Sequence, residues 1–286
     1  MSTSGSNNMD MQGINHMIAL FARSTRDVLV AAHRGIWSAA PENSLSAIQA
    51  AIAIGAHIVE IDVHRTRDGE LVLMHDATVD RMTNGRGKIA ELTLREIKAL
   101  RLRNGSGGEN APLSDETVPT LREAMEAAKD RIMVNVDKIW KFKDDVWDIV
   151  RETGTAAQTI FKGTAGHEEV AQWLASKSPR PLYMHIVLDK NIGGLDSMMT
   201  AVKPDAYELV FATMDDLAIA ETTIVAIKRT GARIWINMMF KQFAGGLTDE
   251  PSCWDWCVER GATMLQTDYS AEMLARYPHA LVQMKA

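Results

Sequence analysis

Four short stretches of the chain carry side chains suited to chemistry on an anion: His33-Arg34-Gly35, Glu60-Ile61-Asp62, His75-Asp76 and Asp137-Lys138. Glu60 and Asp62 are one residue apart, so on a strand both side chains point to one face while Ile61 points to the other. Two carboxylates on an inward, otherwise apolar face repel each other and are costly to desolvate unless a cation sits between them. Oxygen ligands favour one hard divalent cation, Mg²⁺ or Ca²⁺, with Asp137 as a further ligand. A pair of solvated strand-end carboxylates is the plainer alternative. His33 ends one apolar run and His75 another, Leu71-Val72-Leu73-Met74. Each alone is more often structural, but together they would supply an acid and a base on opposite sides of a phosphodiester. Arg34 offers a planar fork for phosphate oxygens and Lys138 a point charge beside Asp137, which together define an anionic substrate.

These residues fall at the ends of short apolar or β-branched runs. Eight such runs read as strands, at 29–32, 58–63, 132–136, 158–161, 182–188, 206–210, 233–238 and 263–267. Helical stretches lie between them at 43–55, 141–153, 168–177, 215–230 and 250–261, several closing on a glycine. Alternation of this kind in about 250 residues predicts an α/β fold, a closed (β/α)8 (TIM) barrel, rather than a doubly wound sheet, since no Gly-x-Gly-x-x-Gly follows the first strand. A barrel gathers the C-terminal ends of its strands on one face, where the four stretches would converge. Residues 76–119 are too long for one helix and are read as a small subdomain inserted after the second barrel strand. Within it Thr93 and Glu96 have capping-box spacing at the start of a short helix over 93–100. Residues 1–13 read as a loose, flexible tail and 14–286 as one barrel domain.

The composition excludes several classes. With 46% hydrophobic and 24% charged residues the chain is neither disordered nor fibrous. The 31 Lys and Arg against 37 Asp and Glu give a net charge of -6, which offers no basic field for nucleic acid. The apolar run at 17–22 is far short of the roughly 20 residues a membrane span needs, and no Lys or Arg precedes it. The expectation is a cytoplasmic protein without a membrane span. Cys253 and Cys257, the two cysteines, lack the further ligands of a zinc site and read as two thiols in a reducing compartment. Trp140, Trp147, Trp173, Trp254 and Trp256 read as packing residues on helices, any exposed one marking a homo-oligomer surface. Lys162, Glu208 and Asp268 fall at strand ends and read as solvated or mutually paired charges.

The chain resembles the glycerophosphodiester phosphodiesterase family. The matching elements are His33-Arg34-Gly35, Pro41-Glu42-Asn43-Ser44, Glu60-Ile61-Asp62-Val63, Thr66-Arg67-Asp68-Gly69, His75-Asp76, residues 80–85, Leu92-Thr93-Leu94, Pro119-Thr120-Leu121, Trp235-Ile236-Asn237 and Thr267-Asp268-Tyr269. The resemblance implies a metal-dependent barrel with the same inserted subdomain. It implies His33 and His75 as the acid/base pair, Glu60, Asp62 and Asp137 as metal ligands, Arg34 and Lys138 as phosphate contacts, and Trp235 as a wall of the substrate pocket. Asp137 stands where the family usually has Glu, one methylene longer, and Ile236 where it usually has Thr. The implied activity is hydrolysis of a glycerophosphodiester to sn-glycerol 3-phosphate and an alcohol held by the loops 102–116 and 240–247. The alternatives are action on lysophospholipid or sugar phosphodiesters, transphosphorylation to a cyclic phosphate, and a barrel that binds a phosphorylated ligand without turnover.

Overall fold

The structure is a computed structural model that describes residues 4–22, 27–38, 40–239, 241 and 244–278. The chain divides into two compact units, residues 32–159 and residues 1–31 with 160–286. Among the described residues, hydrogen bonding orders nine strands as β1 (29–32), β9 (264–267), β8 (233–237), β7 (206–209), β6 (182–187), β5 (159–163), β4 (133–137), β2 (58–65) and β3 (71–73), with a further pairing of β1 with β2. With helices between them, these strands have the order of a closed eight-stranded (β/α)8 barrel carrying one additional strand, β3.

In the unit 32–159, the strand β2 (Ile58–Arg65) pairs in parallel with β4 (Met133–Asp137) and antiparallel with β3 (Leu71–Leu73). β2 is two residues longer than its periodicity predicts, because Val63, His64 and Arg65 continue into the ladder with β3. Ser44 caps the helix α2 (Leu45–Ala53) by accepting from the Ala47 N–H, an ordinary N-terminal role for a serine. Gly35 is required where the chain turns out of β1 (Leu29–Ala32). Its φ is +79°, and a Cβ there would lie 2.7 Å from the Ala47 backbone. The insertion has its own small core, in which Val79, Met82, Ile89, Ile97, Leu102 and Val118 pack with Val72 and Met74. Its helix α3 (Leu94–Lys98) carries the expected Thr93–Glu96 capping box. A second capping box, Thr120–Glu123, opens a helix absent from the sequence reading, α4 (Leu121–Ala128). The same spacing rule that found the first would have found it. Helix α5 (Lys143–Thr153) ends at Gly154, φ +75°.

The other unit carries β5 (Thr159–Gly163), β6 (Leu182–Val187), β7 (Ala206–Leu209), β8 (Arg233–Asn237) and β9 (Met264–Thr267) as a parallel ladder. An N-terminal helix, α1 (Ser4–Ala22), runs through much of the stretch read as an aperiodic tail. Its C-terminal carbonyls are held from within the same unit, where the buried Arg233 guanidinium donates to the Phe21 carbonyl at 3.0 Å and also to that of Leu20. Trp147, Trp173 and Trp254 are buried and Trp140 and Trp256 half-buried, so none of the five is an exposed anchor. Cys257 is buried and Cys253 partly so. Of the 240–247 loop, Phe240, Gln242 and Phe243 lie outside the described residues. Among the described residues no helix is long and apolar enough to cross a membrane.

Candidate functional site

The expected convergence occurs within residues 32–159. The register of β2 on β4 sets Glu60 beside Asn135 and Asp62 beside Asp137. Registered neighbours on parallel strands share a face, so the four side chains form a two-by-two patch in the paired stretches 58–62 and 133–137, otherwise built from Ile, Val and Met. Oxygens of Glu60, Asp62 and Asp137 all lie within 4.8 Å of one another. Glu60 and Asp62 are each 2% exposed. Three convergent carboxylates with no sulfur or nitrogen donor among them suit a hard divalent cation.

The three carboxylates of the patch are each held by a hydrogen bond. The Arg34 backbone N–H donates to Glu60 Oε2 at 3.1 Å. Asn43 grips Asp62 twice, its Nδ2 donating to Oδ2 and its Oδ1 accepting from the Asp62 N–H, both at 3.0 Å. Lys138 N–H donates to Asp137 Oδ1 at 2.6 Å, while Lys138 Nζ lies 2.9 Å from Asp62 Oδ1 and also donates to the His75 carbonyl. Arg34, Asn43 and Lys138 all adopt left-handed backbone, φ +56°, +56° and +64°. Non-glycine residues in that region cost energy and persist where surrounding contacts over-determine them. Burial raises the Asp62 pKa, but Lys138, Arg34, His75 and the Asn43 hydrogen bond outweigh it and hold the carboxyl below its ordinary range.

His33 closes β1 and is 6% exposed. His75 is more open, and its Nδ1 lies 2.8 Å from Asp76 Oδ1. Arg81 clamps that carboxylate with Nε on Oδ2 at 2.8 Å and Nη2 on Oδ1 at 2.9 Å. The same Arg81 Nη2 donates at 2.6 Å to Glu42, which in turn accepts from Arg34 Nη1 at 3.1 and 3.2 Å. Hydrogen bonds from Arg81 and then His75 outweigh burial and hold Asp76 well below the usual carboxylate range. A continuous chain, His75–Asp76–Arg81–Glu42–Arg34, therefore ties one predicted proton-transfer residue to one predicted phosphate contact. Glu42, Asn43, Asp76 and Arg81 were given no role from the sequence, although each stands in a stretch that carries the resemblance. A third histidine, His64, approaches the His75 carbonyl through Nε2 at 3.2 Å.

Trp235 belongs to the other unit. It is fully buried, and its indole N–H donates to Asn237 Oδ1 at 2.7 Å. Asn237 Nδ2 donates at 2.7 Å to Glu208, which pairs with Lys162 at 3.0 Å. Lys162 and Glu208 are paired as expected but buried rather than solvated, at 4% and 3% exposure. The Asp268 N–H donates to Asp249 at 2.8 Å.

A family model described as the glycerophosphoryl diester phosphodiesterase family matches residues 33–189, and a second, described as a domain of unknown function, matches residues 183–277. The chain is 44% identical over 110 residues to a glycerophosphodiester phosphodiesterase of Caldanaerobacter subterraneus subsp. tengcongensis, covering 38% of this chain and 44% of that protein. It is 46% identical over 114 residues to glycerophosphodiester phosphodiesterase 1 of Homo sapiens, covering 37% of this chain and 32% of that protein. The matched stretch thus spans less than half the length of either relative. A glycerophosphoryl diester phosphodiesterase from Parabacteroides distasonis has the same fold, with TM-score 0.72 at 18% identity over 95% of this chain and 92% of that one. An Oleispira antarctica phosphodiesterase in complex with the product sn-glycerol-3-phosphate gives 0.65 at 20% identity over 87% and 96%.

Proposed function

This chain belongs to the glycerophosphoryl diester phosphodiesterase family, and on that premise we propose that it hydrolyses a glycerophosphodiester to sn-glycerol 3-phosphate and an alcohol. The observation that carries the reading is the meeting of Glu60, Asp62 and Asp137 oxygens within 4.8 Å, on a unit that also holds His33, Arg34, His75 and Lys138. Glu60, Asp62 and Asp137 would hold one divalent cation, Mg²⁺ or Ca²⁺. When bound, the cation acts as a Lewis acid that offsets charge growing on the phosphate oxygens.

The remaining roles follow from the side chains. Arg34 and Lys138 bind the anionic phosphate and stabilise charge that develops on it. Because Arg34 already pairs with Glu42, its guanidinium presents a fixed edge and loses little freedom when the substrate arrives. His75, with Nδ1 against Asp76, turns Nε2 away from that carboxylate, as a proton-transfer residue requires. One of His33 and His75 accepts a proton from the attacking water, and the other delivers one to the leaving alkoxide. The overall step breaks the bond from phosphorus to the alcohol oxygen and forms one to the water oxygen.

The test is incubation with glycerophosphocholine and glycerophosphoethanolamine in Mg²⁺, Ca²⁺ or EDTA, with glycerol 3-phosphate as the readout and ³¹P NMR to detect any cyclic phosphate. Cation-dependent release that His33→Ala abolishes is the expected result. No release from either compound with either cation refutes the reading.

A further inference from the structure

One polar side chain in the patch has no place in the mechanism above. Asn135 is 0% exposed, and neither its Nδ2 nor its Oδ1 has a hydrogen-bond partner. A buried amide without partners is unfavourable by an amount comparable to a lost hydrogen bond at each atom. Leucine, an apolar residue of nearly the same shape, would avoid that cost. The position is not arbitrary. Asn135 shares the strand face of Asp137, two residues on, and is the registered neighbour of Glu60 on β2. It is thus the fourth member of a patch whose other three members are the carboxylates that converge within 4.8 Å.

We propose that Asn135 is a positioning residue of the cation site, acting through Glu60. When a divalent cation draws the three carboxylates together, the Asn135 Nδ2–H donates to the Glu60 carboxylate and fixes the oxygen that faces the ion. The donor is an amide, so it supports a ligand without adding a fourth negative charge. The Arg34 N–H already donates to Glu60, and the Asn135 amide on the neighbouring strand β4 adds a donor to the same carboxylate. An outer donor of this kind typically changes metal affinity by about tenfold to a hundredfold when removed. The inference rests on the cation site of the proposed function, and it concerns affinity rather than turnover.

The experiment is isothermal titration of the full chain with Ca²⁺ and with Mg²⁺, for the parent, Asn135→Leu and Asn135→Ala, together with thermal unfolding in EDTA. Asn135→Leu is expected to weaken cation binding by about tenfold or more, while its melting temperature in EDTA stays equal or rises because two unpaired polar atoms are gone. Asn135→Ala, which removes the same donor without adding charge or bulk, is expected to weaken binding as well and serves should the leucine variant fail to fold. Unchanged affinity in either variant overturns the inference. So does a lower melting temperature of Asn135→Leu in EDTA, which would mean that the amide already has partners without the cation. A parent that binds neither cation overturns both this inference and the cation site, whereas normal parental binding with unaffected variants overturns this inference alone.

Discussion

Replacing Asp76 with Asn probes how His75 is held. The carboxylate accepts from three N–H groups at once, His75 Nδ1 and Arg81 Nη2 on Oδ1 and Arg81 Nε on Oδ2. An amide has one accepting oxygen, so whichever way Asn turns, its NH₂ faces a donor of either Arg81 or His75. The lost attraction between the carboxylate and a His75 imidazolium can be sized by Coulomb's law. At a charge separation of about 4 Å and an effective dielectric constant of about 40, chosen because both side chains are about one-third exposed, it is about 2 kcal/mol. If that attraction is felt in the transition state, kcat falls by about thirtyfold. The assay is steady-state hydrolysis of glycerophosphocholine by the parent and Asp76→Asn, with cation affinity measured in parallel. The expected outcome is a kcat loss of that size with KM within about twofold and cation affinity unchanged, since Asp76 is outside the ligand set. An unchanged kcat, or a loss confined to KM, refutes the argument that Asp76 orients His75 for proton transfer.

Further outcomes follow from the other unit. Lys162→Met leaves Glu208 buried with Asn237 as its remaining support among the described residues and is expected to lower unfolding free energy by about 3 to 5 kcal/mol. The double variant Lys162→Met, Glu208→Gln should recover most of that loss in urea denaturation, and a single-variant loss under about 1 kcal/mol would contradict the pairing argument. Burial pushes the His185 imidazole down to about 4, so the folded state keeps it neutral while an unfolded chain protonates it below its ordinary 6.5. Protons then favour the unfolded state, and this contribution to stability is lost as pH falls from about 6.5 to about 4. Between pH 7.5 and 4.5 the parent should therefore lose about 2 to 3 kcal/mol more than His185→Phe in urea titrations. Equal losses would show that His185 is protonated in the folded state.

Short-range periodicity encodes much of the framework. One-residue spacing put Glu60 and Asp62 on one strand face, the alternation of apolar runs with helical stretches set the barrel class, and capping-box spacing marked the helix that follows Thr93. The first and last depend on residues within about one turn or one pleat of each other, where backbone geometry fixes direction, and the barrel class follows from the repetition of such elements along the chain. Residue types at the ends of apolar runs picked out His33, Arg34, His75, Asp137 and Lys138, and the family resemblance implied their roles. Tertiary structure decided which partners those residues meet. The grip of Asn43 on Asp62 spans 19 residues and that of Arg81 on Glu42 spans 39. Nothing local in either segment specifies the other. The same holds for the burial of Lys162 with Glu208, which as strand-end charges read as solvated or mutually paired, with nothing local to place the pair in the core. It also holds for Asn135, whose place in the patch depends on the register of β4 against β2. Partner choice depends on where distant segments pack, and that is set by the closure of the whole core rather than by any one segment's own preference.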